Sequence, residues 1–474
     1  MLTYDMQKRG DTPLYVYLYQ CIKADLTAGR IKAGDKLPSK RSLSEHLKIS
    51  VITVQNAYEQ LAAEGYIYSK EKSGYYAAAL EAPAPAPEQP PKRQSPPPQS
   101  APHLIDFHAN HLGADHFPFS TWARQMREVL SEMGGELLRR MPAAGVLKLR
   151  EVIADFLYHF RGMNVAPEHI IIGAGTEYLY GLLIKLLGRD RLYALEDPGF
   201  PKIGSIYRNE GAACRYIGLD KSGINMCELR KSNADIVHVS PAHHFPTGLV
   251  MPVKRRLELL SWAARGDRYI IEDEYDSEFR FSGKIIPTLY SIDNHDRVIY
   301  INTFSKTIAP SIRISYLVLP PQLAAEYERH MGFYSCTVSS FEQYTLAKFI
   351  EGGYFERHLN RMRKLYRSKR DYLIAAIRNI PLLDQANILG QESGLHFLLQ
   401  LCSRSSDDEL VAIAGELGIK VSCLSHYCHN PAHAQSSALV INYSGVETEQ
   451  IDRAVAVLTW LGETAVAERQ GREK

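Results

Sequence analysis

No stretch of the 474-residue chain approaches 18 consecutive uncharged apolar residues, so no membrane-spanning helix is expected. The opening MLTYDMQKRGDTP lacks the apolar centre of a secretory leader. Cysteine is sparse and odd in number, seven residues scattered from Cys21 to Cys428. That fits free thiols in a reducing, cytoplasmic setting better than a disulfide framework. Neither charge sign dominates, with 55 Lys and Arg against 53 Asp and Glu, so the chain as a whole is no polycation. Internal repeats are absent as well. What is present is an ordinary globular composition, 45% hydrophobic and 23% charged, in a length that suits three or four structural units.

The small positive excess sits at one end: residues 1–80 hold 11 basic and 8 acidic side chains. After them comes EAPAPAPEQPPKRQSPPPQSAP, residues 81–102, in which nine of 22 residues are proline and none is a large apolar one. Such a segment has nothing to bury and few backbone donors, so it reads as a stiff extended linker. The expected division is a module at 1–80, a linker at 81–105, and a body at 106–330 and 331–474.

In the first module Leu14, Leu18, Ile22 and Leu26 recur every four residues, which predicts one buried helical stripe ended at Gly29. Ser39 is placed to cap a second helix carrying Leu43 and Leu47, and Ser50 to cap a third carrying Val54, Tyr58 and Leu61. Gly65 ends the third helix, and YIYSKEK with SGYYAA reads as a two-stranded hairpin. Three helices and a hairpin make a winged helix-turn-helix, whose third helix enters the major groove by its N-terminal end. Thr53, Gln55 and Asn56 are then candidates for base edges. Lys40 and Arg41 are candidates for the phosphate backbone, with Lys70 and Lys72 serving from the wing. A capped helix start also aims free N–H groups at a phosphate, which adds Ser39 and Ser50. The alternative on spacing alone is a small helical protein-interaction domain. PLYVYLYQCIKADLTAGRIKAGDKLPSKRSLSEHLKIS and TVQNAYEQLAAEGYI resemble the GntR-type winged helix-turn-helix, which implies binding to double-stranded DNA. One departure is Val51, where that family usually has arginine after the helix-opening serine.

Beyond the linker, apolar runs such as HIIIGAG, DIVHVSP, RYIIEDEY and VIYINTFSK alternate with helical stretches, including 176–188 and 254–266. Strands buried on both faces and separated by helices predict a mostly parallel α/β sheet. Residues 322–380 read as helical, and 381–474 as a smaller α/β domain. Chemistry gathers at the strand ends. Gly173-Ala174-Gly175-Thr176-Glu177 at a strand-to-helix turn can form an anion cup from N–H groups and a hydroxyl. Phe200 in EDPGF follows another strand end. Asp273 and Tyr275 alternate on one face of IIEDEYD. Thr303-Phe304-Ser305-Lys306 is followed seven residues later by Arg313, giving a lysine and an arginine that can share a phosphate. A lysine can also form an imine with an aldehyde cofactor. Taken singly, each residue has a plainer explanation: Phe200 as a core ring, Lys306 as a solvated loop lysine.

EDPGF, SPAHHFPTG, IEDEYDSEFRF and NTFSKTIAPSIRISYLV, in this order, resemble fold-type I pyridoxal-phosphate enzymes. The likeness is greatest to the branch fused behind a GntR-type reader, the MocR-type transcriptional regulators. The resemblance implies pyridoxal 5'-phosphate as cofactor and an internal aldimine on Lys306. It implies Asp273 on the pyridine nitrogen, Tyr275 on the ring oxygen and Phe200 stacked on the ring. Gly175, Thr176 and the helix start at Glu177 would form the phosphate cup, with Thr303, Ser305 and Arg313 on its other side. It also implies a homodimer, which favours paired half-sites on DNA, and the linker is long enough for readers to be swapped between partners.

Three positions depart from the enzymes. Where many aminotransferases have Asn-Pro-Thr-Gly this chain has Phe245-Pro246-Thr247-Gly248, leaving His243 or His244 to replace the asparagine. Val440 stands where an arginine usually clamps the substrate carboxylate, and Arg140 where a tyrosine usually reaches the partner's phosphate. Capture of the cofactor is thus provided for and handling of a substrate is not, with no catalytic residue assigned. That pattern predicts a DNA-binding regulator sensing pyridoxal phosphate, or an amino compound reacting with it, in vitamin B6 or amino-compound metabolism. A true aminotransferase with a DNA-binding appendage, or a cofactor that only stabilises a dimer, are the alternatives. Cys423, His426, Cys428, His429 and His433 match no metal spacing, and no metal site is expected there or among His103, His108, His111 and His116.

Overall fold

Two serines set the geometry of the N-terminal region. Ser39 Oγ accepts the Ser42 N–H at 3.1 Å and starts α2 (Lys40–Leu47). Ser50 Oγ accepts the Thr53 N–H at 3.1 Å and starts α3 (Val51–Ala63). Each cap satisfies a backbone donor that the first helical turn cannot, worth about 1 kcal/mol. α1 (Leu14–Thr27) precedes them, and β1 (Ile67–Lys70) pairs antiparallel with β2 (Gly74–Ala77), Ile67 opposite Ala77. Leu18, Ile22, Leu26, Leu43, Leu47, Val54, Tyr58 and Leu61 meet in one core. Leu14, in the first turn of α1, is only partly covered, so the stripe is a residue shorter than its spacing suggests. The Tyr58 hydroxyl donates to the Pro38 carbonyl at 3.0 Å and ties α3 to the start of α2.

The computed structural model describes residues 2–80, 105–108, 114–281, 286–380, 386–403, 405–434, 436–457 and 459. The expected linker lies, but for Ile105, outside the described residues, as do His103 and His111. Chain contacts divide the protein into two units, Met1–Gln99 and Ser100–Lys474.

The second unit begins with β3 (Ile105–Asp106), α4 (Phe119–Met133) and α5 (Leu147–Arg161). Alternation then sets in: β4 (Ile170–Gly173), α6 (Thr176–Leu187), β5 (Leu192–Asp197), α7 (Pro201–Asn209), β6 (Ala213–Asp220), β7 (Gly223–Ile224), α8 (Met226–Lys231), β8 (Ile236–Val239), α9 (Val253–Ala264), β9 (Tyr269–Glu274), α10 (Leu289–Ile292), β10 (Val298–Thr303), α11 (Phe304–Thr307) and β11 (Ser315–Val318). Among the described residues these strands form one sheet, ordered β4-β11-β10-β9-β8-β5-β6-β7. β10, β9, β8, β5 and β6 run parallel, and β8, β9 and β10 are buried on both faces, as their unbroken apolar runs require. β11 runs against both neighbours, setting Ser315 opposite Thr303 on one side and Gly173 on the other. This brings the ends of β4 and β10 to one edge of the sheet.

α12 (Pro321–Met331), α13 (Ser340–Glu351) and the 25-residue α14 (Tyr354–Arg378) follow. α14 buries Phe355, Leu359, Met362, Tyr366, Leu373 and Ile377, one stripe of a charged helix. The rest is β12 (Asn387–Leu389), β13 (His396–Gln400), α15 (Asp407–Glu416), β14 (Ile419–Lys420), β15 (Ser422–Cys423) and β16 (Ala438–Asn442), with residues 451–457 helical. β12, β13, β16 and β15 make a second, antiparallel sheet, while β14 pairs with β3.

Candidate functional site

The parallel strands end at a cavity of about 560 Å³, the place where open α/β sheets hold ligands. Asp273, at the end of β9, is almost fully buried and lines it. One carboxylate oxygen, Oδ2, accepts the Tyr180 hydroxyl and faces His238 Nε2 at 3.2 Å. The other, Oδ1, is buried without a hydrogen-bond partner. A buried carboxylate oxygen in that state is costly unless a donor from a ligand completes it. His238 is held in turn by the Tyr207 hydroxyl at 2.8 Å from Nδ1.

Lys306, on α11, lines the same cavity, and it makes no hydrogen bond or ion pair among the described residues. Burial pushes its amine down to about 8, against the pull of the Asp276 carboxylate. An amine so tuned is partly unprotonated, and hence nucleophilic, near neutral pH. Ser305 Oγ beside it is also buried without a partner. Thr303 caps α11, its hydroxyl accepting the Ser305 N–H at 3.1 Å and the Ser315 hydroxyl at 2.7 Å. Gly175 has φ +90 at the head of α6, and a Cβ there would lie 2.4 Å from Arg313 Nη2. Glycine is therefore what lets the guanidinium lie against the start of α6. Thr176, Thr303, Ser305 and Arg313 all line the cavity, giving it an end made of hydroxyls, a helix start and a cation. Phe200 lines it too, 46% exposed and edge-on to Phe245.

Tyr275 is on the wall, but Gly175, Glu177 and His243 are not. Glu177 points away, paired with Lys202 and, at 3.9 Å, with Arg313. His243 lies behind the wall, its Nδ1 3.1 Å from both Asp276 oxygens and 3.3 Å from the Tyr275 hydroxyl. It is His244 that lines the cavity, 3.4 Å from Glu196. Burial raises the Glu196 carboxyl to about 8 and lowers the His244 imidazole to about 3, disfavouring the charged form of each. Tyr180 and His238 were not singled out from sequence, whereas His244 was named there as the alternative to His243.

The cavity is also lined by Val440, Asn442, Arg208, Tyr216 and the segment His426–His429. Val440 is 3% exposed and brings only methyl groups. Arg140 is elsewhere, donating to the Phe333 carbonyl at 3.0 Å. The segment is fastened by Asp197, at the end of β5, which accepts the His429 and Asn430 N–H groups at 2.7 and 2.9 Å and pairs with His433 at 2.8 Å. Cysteines and histidines at 423–433 do not converge. The one group of His, Cys, Asp and Glu whose ligand atoms fall within 4.8 Å of one another, among the described residues, is His243, Asp276 and His396.

In the first unit Ser39 and Ser50 are spent as caps, while Arg41, Asn56, Lys70 and Lys72 are exposed. Lys40 lies over the Tyr75 ring at 5.9 Å, and Lys70 over Tyr76 at 4.8 Å. The Thr53 hydroxyl is 2.8 Å from Ser50 Oγ, and the Gln55 amide donates to Glu59 at 2.8 Å.

Two family profiles match the chain: bacterial regulatory proteins of the gntR family over residues 14–76, and aminotransferase class I and II over 102–458. The chain is 30% identical to the probable rhizopine catabolism regulatory protein MocR of Rhizobium meliloti, over 95% of this chain and 94% of that protein. The chain belongs to the GntR/MocR family of transcriptional regulators. In this family a winged helix-turn-helix is fused to an aminotransferase-like pyridoxal-phosphate domain. Similarity extends to the HTH-type pyridoxine biosynthesis transcriptional regulator PdxR of Corynebacterium glutamicum, 31% identical over 88% of this chain and 89% of that protein. It is higher for the uncharacterized HTH-type transcriptional regulator YdeL of Bacillus subtilis, 39% identical over 94% of this chain and 96% of that protein. Among solved structures, kynurenine aminotransferase of Pyrococcus horikoshii superposes with a TM-score of 0.67 at 22% identity, covering 76% of this chain and 91% of that one. That likeness establishes the fold. As a MocR-family member the chain is a regulator of transcription, and GntR-type modules bind DNA. Among the described residues no helix is long and apolar enough to cross a membrane.

Proposed function

We propose that the chain senses pyridoxal 5'-phosphate, or an amino compound joined to it, in the cavity containing Lys306, and that filling this cavity changes how its N-terminal module binds DNA. The observation that carries the proposal is the pairing of an unengaged lysine amine with the unpartnered Asp273 Oδ1 in one cavity. These are an amine for an aldehyde and an acceptor for a protonated ring nitrogen, and the residues present fit the cofactor. When bound, the cofactor supplies an aldehyde and an electron-withdrawing ring.

Lys306 Nζ is the capturing amine, its proton made easier to lose by burial. Asp273, oriented by Tyr180 and His238, holds the proton at the ring nitrogen. Tyr275, oriented by His243 and Asp276, faces the ring oxygen, and Phe200 covers the ring. Thr176, the Gly175 turn, Thr303, Ser305 and Arg313 receive the phosphate, where the arginine fork suits its oxygens. Glu177 steadies Arg313.

Val440 itself brings only methyl groups where a carboxylate clamp would stand, which favours the cofactor as the effector; Arg208, on the same cavity, is the cation that the carboxylate of an amino compound would need. The name of the Corynebacterium relative, a regulator of pyridoxine biosynthesis, supports the same choice. On DNA we assign Lys40, Arg41, Lys70, Lys72 and the helix starts capped by Ser39 and Ser50 to the backbone, and Asn56 to a base edge, while Thr53 and Gln55, held by Ser50 and Glu59, support the reading helix. The working protein is a cytoplasmic homodimer on paired half-sites, with residues 1–80 as reader, 81–105 as linker and 106–330 and 331–474 as the sensing body.

The test is DNA binding by the full chain, on the fragment upstream of its own gene, titrated with pyridoxal phosphate. A change in affinity or footprint is expected. Affinity indifferent to the cofactor would leave it a structural role only, and sustained keto-acid production at enzyme-like rates from added amino acids would instead make the body an aminotransferase.

A further inference from the structure

The surface of α3 indicates which bases it suits, granted the DNA-binding reading above. Of the side chains in its first two turns, Val54, Ala57 and Tyr58 are committed to the core. Thr53 is tied into the cap through Ser50, and Gln55 is engaged with Glu59. Three side chains are left to face outward: Val51 at 41% exposure, Ile52 at 69%, and the exposed Asn56. Ile52 and Asn56 are four residues apart, so they stand one above the other on the same face. On α2, which packs against α3, Lys40 and Arg41 carry positive charge, as does Lys48 four residues before Ile52, and none of the three forms an ion pair among the described residues. The helix thus presents an apolar tip and a free carboxamide within a cationic rim, which complements a polyanion carrying an apolar group and a paired donor and acceptor. In the major groove the thymine C5-methyl is the apolar group. The adenine N6–H and N7 are the donor and acceptor that an asparagine amide matches bidentately.

We propose that α3 reads A·T base pairs, Ile52 by burying a thymine methyl, with Val51 flanking it, and Asn56 by pairing with the adenine edge. Specificity on this face then comes from an aliphatic contact and one amide, and the threonine and glutamine serve the helix itself.

The full chain is used to enrich duplexes from a randomised pool, and the enriched duplex is remade with deoxyuridine for thymine or 7-deazaadenine for adenine, one position at a time. At the contacted thymine, loss of the methyl weakens the wild type about 4-fold, the equivalent of about 0.8 kcal/mol for one buried carbon. The same replacement leaves Ile52→Ala unaffected. At the contacted adenine, the deaza base weakens the wild type and leaves Asn56→Ala unaffected. A G·C consensus at these positions overturns the proposal, and so does an equal response of variants and wild type to the modified bases. If Ile52→Ala keeps its sequence preference and instead alters sedimentation, Ile52 is a protein contact and the proposal also falls. If no duplex is bound even at low salt, the DNA-binding reading fails and this one with it. A bound duplex without thymine dependence overturns this one alone.

Discussion

On α3 the groups assigned to recognition stand in solvent: Ile52 is 69% exposed, and Arg41 on the neighbouring helix is exposed too. In the cavity they are withheld from it: Asp273 is 5% exposed, and one of its oxygens is buried with no partner at all. The difference separates two kinds of binding energy. An exposed side chain costs folding little, and its contribution appears only when DNA covers it. A buried unpaired acceptor or amine is already a cost to the folded chain, of the order of 1–3 kcal/mol for a polar group and more for a charged one. A ligand that completes these groups stabilises the body as well as occupying it.

Three perturbations sharpen this contrast. The largest effect belongs to Lys306→Ala. Wild type mixed with excess pyridoxal phosphate and reduced with borohydride should carry a pyridoxyl group on residue 306, with absorbance near ~410–430 nm before reduction. The variant should show neither, and an unchanged spectrum would refute the role given to this lysine.

The second concerns pH. Lys306 is held at about 8 in the folded chain against 10.5 for a free lysine, so between those values the unfolded chain binds the extra proton. Stability of the cofactor-free protein should therefore rise with pH across this window, and the penalty of burying the charge, about 3 kcal/mol at 1.36 kcal/mol per pH unit, should be fully present below it. Lys306→Met should unfold at higher urea than wild type near pH 7, and the gap should close as pH approaches 10.5. A gap independent of pH would mean that the amine is solvated.

The smallest effect is on the exposed side. Arg41→Ala should weaken binding to every duplex several-fold and reduce the salt slope by about 1, because a phosphate contact carries no sequence information. A change in sequence preference would move Arg41 from the backbone to the bases.

The legibility of the two regions in sequence follows the same divide. Ser39, Ser50 and the α3 core positions were readable because caps and helical stripes are local, set within four residues. Lys306, Asp273 and Thr303 could be placed at strand ends, where an apolar run stops, but their roles were legible only from the resemblance carried by the motifs together. The supports of Asp273 were not, since Tyr180 and His238 lie 93 and 35 residues away and only the sheet order joins them. The direction of β11 was equally hidden, because a strand buried on both faces has the same pattern whichever way it runs. Glu177 and His243 adjoin residues of the cavity wall, yet turn elsewhere. Adjacency in a chain does not fix the direction of a side chain, which here is chosen by Lys202 and Asp276.

Asp197 has a consequence of its own. By gripping two backbone amides and an imidazole of residues 429–433, it rivets the end of β5 to a segment more than 230 residues further along. That segment supplies one lip of the cavity, so the lip is borne by the same strand that leads into Phe200. Phe200 and His429 both line the cavity, so a single carboxylate braces the strand end that precedes the one and the backbone that carries the other.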